Sequence, residues 1–358
     1  MLHYYQPMIK FFRQIRQTLI MENKTSKYLK YAIGEIVLVV IGILIALQVN
    51  NTNEKRNNET HFKANLELLY TTIKFDVEML NTHSINFNEQ SVLIDTLLYY
   101  PDFFEDQDLP YALFKLTFNN YYFTSESIYH SQQLIYDPNN ITQKEITKEI
   151  VNYNSAITNL KYRFDDRLEK ALHNIDIASP MLIQSGIIAN WSKSDSTYYT
   201  SNDLKNLHNL VRSHSFRAIL KSVKSDKIWN FKYARNRYND GISIRNLIKS
   251  YYPDVKEIYN DVGIIGTSIN GFDEVGARST PMTLTDIKQS IWEIDLYLKE
   301  GRVKFRCRDS WLINWGGTTF PKGKADFEGP DIQVTEAGNY HIIINLTANT
   351  YEFIKKDD

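Results

Sequence analysis

The chain has 358 residues, a formal net charge of −1 and an apolar content of 43%. That balance leaves no basic surplus of the kind a nucleic-acid surface needs, so no nucleic-acid partner is expected. A single cysteine, Cys307, excludes an intramolecular disulfide.

The chain opens with a basic arm, residues 1–30, holding six Lys or Arg against one acid, Glu22. Within it, Ile9, Phe12, Ile15, Leu19 and Ile20 fall at helical spacing with Lys10, Arg13 and Arg16 between them. Such a basic amphipathic helix is suited to the inner leaflet of a membrane, held by anionic lipid. Residues 31–49 follow, nineteen residues with Glu35 as their one charge. As a helix they span ~28 Å, close to the hydrocarbon thickness of a bilayer. The cations on the N-terminal flank place the N-terminus in the cytoplasm and the long C-terminal part outside. A buried core helix and a cleaved signal peptide are the competing readings. A cut after Gln48 puts a large polar residue where a small one is needed, which favours an uncleaved anchor. Glu35 sits one turn inside the cytoplasmic end, where it either reaches up to the headgroups or faces a partner. Residues 50–57 read as a polar linker.

The run MIKFFR…ENK…KYLKYAIGEIVLVVIGILIALQVNN, about residues 8–55, resembles the opening of a bacterial family of uncharacterised single-pass membrane proteins. This sequence has Thr52 where that family carries Trp. The resemblance implies an anchor followed by an exported helical region, and no activity.

Residues 58–252 read as a helical bundle. Phe62, Leu66, Leu69, Ile73, Val77 and Leu80 recur at spacings of four and three, which is one apolar helix face. A second series runs Ile146, Ile150, Ile157, Leu160, Phe164, Leu168, Leu172 and Ile175, with Pro180 as a stop. PDFFEDQDLPY, with two prolines and four acids, is a turn between helices. Further helices are expected over residues 203–223 and 226–252. The histidines of this region, His61, His83, His130, His173, His208 and His214, include no pair at helical ligand spacing. HExxH, GxSxG and a Gly-rich phosphate loop are all missing, so no catalytic, metal or cofactor site is expected. Asp165, Asp166 and Glu169 beside Lys161, Arg163, Arg167 and Lys170 read as a solvated charged face. A sensory role for such a bundle would require a partner membrane protein.

From Pro253 onward glycines return and strands replace helices. In RVKFRCR, Val303, Phe305 and Cys307 alternate with Lys304, Arg306 and Arg308, the pattern of a half-buried antiparallel strand. Tyr340, Ile342, Ile344 and Leu346 repeat it, and YEFI follows after the turn TANT. VGIIGTS, PMTLT, IWEIDLYL and DIQV are also strand-like, which together reads as a β-sandwich. RDSWLINWGG reads as a loop in which Trp311 is buried and Trp315 exposed.

VGIIGTSINGFDE, MTLTD, IWEIDLYLKEGRVKFRCRDSWLINWGG and DIQVTEAGNYHIIINLTANTYEFI resemble, in this order, one module of the SusE/SusF-type starch-binding surface proteins. The resemblance implies an immunoglobulin-like β-sandwich over residues 256–358 that binds glucan through two aromatics and a basic residue and is not an enzyme. Lys304 then falls at the basic position, Trp315 at the second aromatic and Phe272 at the first, where a Trp is usual. Arg306 shares the outward face with Lys304, and Asn314 lies beside Trp315. An indole packs on the apolar face of a sugar ring while Lys, Arg and Asn bond its hydroxyl rim.

The expected architecture is thus an α+β multidomain chain. It comprises a cytoplasmic arm (1–30), a transmembrane helix (31–49), a polar linker (50–57), a periplasmic helical bundle (58–252) and the β-sandwich (256–358). The expected location is the inner membrane. The expected role is binding of starch or a related glucan, with membrane lipid contacting residues 8–49. The alternative is a sensory or structural protein that docks a protein partner.

Overall fold

The computed structural model describes residues 25–106, 108–117, 126–178, 200–272 and 278–356. The amphipathic arm over residues 8–24 and the Pro180 stop lie outside the described residues, as do the side chains of Asp165, Asp166 and Glu169 and those of Phe164, Leu168, Leu172 and Ile175, the second half of the series expected on that helix. The chain divides into two units, Met1–Phe62 and Lys63–Asp358.

The first helix, α1 (Thr25–Tyr99), is continuous, and the polar stretch 50–57 is part of it rather than a break. Its N-terminal portion is long and apolar enough to cross a membrane, with a window of mean hydropathy 2.3 that is 0% buried. Ile36 and Leu38 are more than 60% exposed there, so packing among the described residues does not account for their apolar character. Length and composition fit a membrane anchor and a signal sequence alike.

In the second unit the rest of α1 is joined by α2 (Leu109–Thr117), α3 (Glu126–Gln132), α4 (Ile141–Ala178), α5 (Ser201–Arg212) and α6 (His214–Tyr251). The expected apolar face of α1 is the buried one, since Leu66, Leu69, Ile73, Val77 and Leu80 are all at most 2% exposed. Ile146, Ile150, Ile157 and Leu160 of α4 are buried likewise, as the second series implied. The far end of α1 packs Ile94, Leu97 and Leu98 with Leu109 and Leu113 of α2, Leu207 and Val211 of α5, and Phe216 and Leu220 of α6. The described residues of the acidic stretch, 100–106 and 108, are non-helical, and Pro110 lies in the first turn of α2, where its missing N–H costs nothing. Gly241 lets α6 approach α1 closely, because a Cβ there would stand 2.6 Å from Val77 Cγ2.

The helices expected over 203–223 and 226–252 are divided elsewhere. The break is at Ser213, which ends α5 and caps α6, its hydroxyl accepting from the Phe216 N–H at 3.3 Å. A Ser at an N-cap satisfies an amide that the helix leaves unpaired. The Ser225 region, by contrast, lies inside α6.

The C-terminal part is two antiparallel sheets, so the chain is α+β. Strands β1 (Val262–Ile265), β2 (Thr280–Pro281), β5 (Gly301–Cys307), β6 (Ser310–Gly316), β8 (Asp326–Phe327) and β9 (Ile332–Val334) form one. The other holds β3 (Thr283–Asp286), β4 (Ile291–Leu298), β10 (Gly338–Asn345), β11 (Thr350–Lys355) and β7 (Lys322–Lys324). Val303, Phe305 and Cys307 face inward with 0% exposure, as their alternation implied. They meet the opposite sheet directly, for the Phe305 ring lies 6.2 Å from both Tyr351 and Phe353.

Helices and sheets are joined through Glu257, in the connection after α6. Its carboxylate accepts from Lys74 of α1 at 2.9 Å, Arg245 of α6 at 2.6 Å and the Tyr259 hydroxyl at 2.6 Å. Burial alone would raise its pKa, but Lys74 and Arg245 outweigh burial and hold it at about 2. A carboxyl depressed in the folded state adds stability that is complete above its unfolded value near 4.3 and is lost as pH falls toward 2. The shift corresponds to roughly 2–3 kcal/mol. Thermal melts of the full chain in detergent should therefore lose stability progressively below about pH 4.3. Glu257→Gln should start lower at pH 7 and show a flatter acid limb; an unchanged acid limb would show that this carboxylate does not carry the effect.

Candidate functional site

The site is built on β5, whose alternation puts Arg302, Lys304 and Arg306 on the face opposite the core. β1 flanks β5 with Ile265 opposite Lys304, and β6 flanks it with Asn314 opposite Arg306. A tight turn after β1 brings in Phe272. The Gly266 carbonyl accepts from the amides of Ile269, Asn270 and Gly271 at 2.9 to 3.0 Å. Gly266 itself has φ +155, and a Cβ there would stand 2.0 Å from the Arg302 carbonyl. Only glycine fits so close an approach, and it presses the loop onto β5. Phe272 ends 5.6 Å from the Arg302 guanidinium and 6.0 Å from the Trp311 ring, the two rings inclined at 45°.

The two tryptophans are the reverse of the sequence expectation. Trp311 is 39% exposed and Trp315 is 4% exposed. RDSWLINWGG is not a loop but strand β6, and Ile313 and Trp315 occupy its inward positions. Trp315 pairs with Phe305 across the sheet and stacks edge-on to Tyr259 at 5.0 Å. It is a core residue, and its place in a binding surface is withdrawn. Trp311, beside the irregularity in β5–β6 pairing between Arg306 and Cys307, stands at the surface instead.

Arg306 is on the expected face but is only 4% exposed. Its guanidinium lies 4.8 Å under the Trp311 ring. Its Nε donates to Ser279 Oγ at 2.7 Å and its Nη2 to Asp309 Oδ1 at 3.0 Å. Burial would raise the Asp309 pKa, but bonds from Ser279 and the Arg306 charge hold it below the usual carboxylate range. Asn314, 5% exposed, donates from Nδ2 to the Trp311 carbonyl at 2.7 Å. Arg306 and Asn314 thus support Trp311 rather than reaching solvent themselves. Lys304 is half-buried with its ammonium 4.0 Å from Asp331, which also accepts from Arg302 at 3.2 Å.

The structure therefore brings Phe272, Lys304, Arg306 and Asn314 onto one face of β5 and its neighbours, and leaves Trp315 out. It adds Trp311 and Arg302, the latter 54% exposed along its side chain. Arg302 was available to the same alternation that selected Lys304, two residues on. Among the described residues, no group of three or more His, Cys, Asp or Glu is placed to hold a metal ion. No protein-family model, curated protein or solved structure matches this chain.

Two rings in reach of an exposed cation can pack on an apolar ligand face and bond its polar rim. Stability separates the two tryptophans. Trp315→Ala should cost about 3–5 kcal/mol in denaturant unfolding, as for other buried aromatics. Trp311→Ala should cost less, about 2 kcal/mol, since only part of the ring is buried. Equal costs would mean the burial assignment is wrong.

Proposed function

We propose that this is a membrane-anchored, non-catalytic carbohydrate-binding protein. Its two sheets form an immunoglobulin-like sandwich, and its ligand is starch or a related glucan. The observation that carries this reading is the pair Phe272 and Trp311, side by side on the outer face of β5 and flanked by Arg302 and Lys304. A glucose ring offers an apolar face of C–H groups to the indole and phenyl rings, and its hydroxyl rim to Arg302 and Lys304. The 45° inclination makes a bent platform, suited to a curved chain of sugars. The resemblance to SusE/SusF-type modules supports the same ligand class, with Trp311 taking the role first given to Trp315.

A second reading, docking of a protein partner, is favoured by the bend after α1. There Tyr99, Tyr100 and Phe103 are 68–69% exposed, a cluster of large aromatics available to a partner.

In this proposal the N-terminus is cytoplasmic, the anchor lies in the inner membrane and the helical and sheet parts are periplasmic. The six cations of residues 1–30 support that orientation. A cysteine replacing Asn53 should react with a membrane-impermeant thiol reagent on spheroplasts, and one replacing Lys24 should not. Cys307 should stay silent, being buried, with its thiol pushed up to about 12 mainly by that burial. Labelling at position 24 alone would reverse the orientation.

The ligand is tested with the full chain in detergent on native gels containing starch. Wild type should be retarded. Trp311→Ala should weaken retention about tenfold or more, since a few aromatic anchors dominate such surfaces. Arg302→Ala should weaken it less, by about the 1 kcal/mol of one hydrogen bond to a neutral group. If no polysaccharide retards the wild type, the glycan reading fails and the docking reading takes its place.

A further inference from the structure

Arg308 and Asp309 are the two residues that connect β5 to β6, and both are left-handed, with φ of 57° and 50°. This conformation matches the twist of paired strands, and Gly, Asn and Asp are the residues that adopt it at low cost. Arg308 holds it only if its contacts compensate for the backbone strain. Both side chains here are heavily engaged, and in opposite directions.

Arg308 turns toward the helices. Its guanidinium lies 4.4 Å from the ring of Phe75 on α1 and 2.7 Å from the carboxylate of Glu126 at the start of α3. Its own amide donates to the Asp261 carbonyl at 3.3 Å. Asp309 turns toward the platform. It accepts from the Ser279 amide at 2.6 Å and from Arg306 at 3.0 Å, and Arg306 in turn lies under Trp311. A single peptide unit separates the two sets of contacts.

We propose that Arg308 is a positioning residue, through which helices α1 and α3 set the Trp311 ring and with it the affinity of the platform. The affinity half rests on the glycan reading above; the positioning half does not. A shift of α3 that withdraws Glu126 frees Arg308, relaxes the turn and lets Asp309 and Arg306 move from beneath the indole. The site is then regulated from the helical part, by whatever moves α3, with no change to a residue that touches the sugar.

The test uses the full chain in detergent, labelled with 5-fluorotryptophan and observed by fluorine NMR. Five tryptophans give five resonances, and Trp311→Phe assigns the one of interest. Arg308→Ala and Glu126→Gln should both shift the Trp311 resonance in the same direction, leaving Trp292 and Trp315 where they are. The double variant should move it no further than Arg308→Ala, because both substitutions break one path. Arg308→Lys, which keeps the charge but not the planar stack, should fall between. Retention on starch gels should drop about three- to tenfold in Arg308→Ala and in Glu126→Gln, in line with a typical coupling between sites.

An unmoved Trp311 resonance overturns the proposal. So does equal movement of Trp292 and Trp315, which would show general loosening of the sheets. If Arg308→Ala does not fold, Glu126→Gln carries the same readout from an exposed side chain. If Arg308→Ala shifts Trp311 while Trp311→Ala leaves starch retention unchanged, positioning stands and the glycan reading fails.

Discussion

The most connected polar contact between the helices and the sheets centres on one carboxylate. Glu257 sits in the stretch between α6 and β1, which has no helix or strand ladder to satisfy its own backbone. It draws a cation from α1, a cation from α6 and a hydroxyl from the start of the sheet region. Neighbouring contacts follow the same logic. The Ile258 amide donates to Thr71 Oγ1 at 2.7 Å, and Lys249 donates to the carbonyls of Pro253 and Val255. Taking one carboxylate and two cations from water is costly unless each finds partners, and here each does. Arg245 lies over the Tyr70 ring at 3.7 Å, and Lys74 over Phe327 at 4.3 Å, so the cations are held from both the helical and the sheet side. Loss of Glu257 would leave two partly buried cations, Lys74 and Arg245, without their shared carboxylate.

With that joint fixed, β5 becomes the strand on which stability and surface chemistry are divided. Its inward residues fill the space between the sheets, and its outward residues carry three cations in a row. β1, β6 and β9 all pair with it, so its register is determined from both sides. A one-residue slip would exchange the core row for the cationic row, which no pairing here could tolerate. The outward row is consequently rigid, and so is whatever is built on it.

The parts legible in the sequence are those with a period. The helix faces of α1 and α4 and the inward row of β5 follow directly from spacings of three, four and two. The long apolar segment was legible from composition alone. What spacing could not give was decided by single residues. Ser213, rather than the Ser225 region, ends one helix and starts the next, because a cap depends on one hydroxyl and not on a pattern. The Arg308–Asp309 turn carries neither Asn nor Gly, so nothing in the sequence marks it as the tip of a hairpin, and RDSWLINWGG reads as a loop. Once residues 310–316 are a strand, Ile313 and Trp315 share the inner face. Trp311 has the same parity and reaches the surface only because the β5–β6 pairing is irregular between Arg306 and Cys307, which no spacing in the sequence announces. Lys304 and Arg306 were placed on the right side, but alternation says which side a residue takes and not how deeply it is covered.

The depth of Arg306 matters most for what the surface can do. A solvent-exposed indole normally samples several rotamers, and a ligand that stacks on it must pay for fixing one of them. Trp311 has that freedom reduced beforehand by the Arg306 guanidinium under its ring and by the Phe272 ring beside it, while Asn314 fixes the backbone beneath through the Trp311 carbonyl. The guanidinium in turn is an almost fully buried charge, and Asp309 and Ser279 accept from it. Asp309 does so from a left-handed turn position whose neighbour, Arg308, is the strained one. The aromatic surface is therefore preorganised at the expense of the turn beneath it. A platform of this construction suits a weak ligand, where the ordering of one side chain is a large share of the binding free energy.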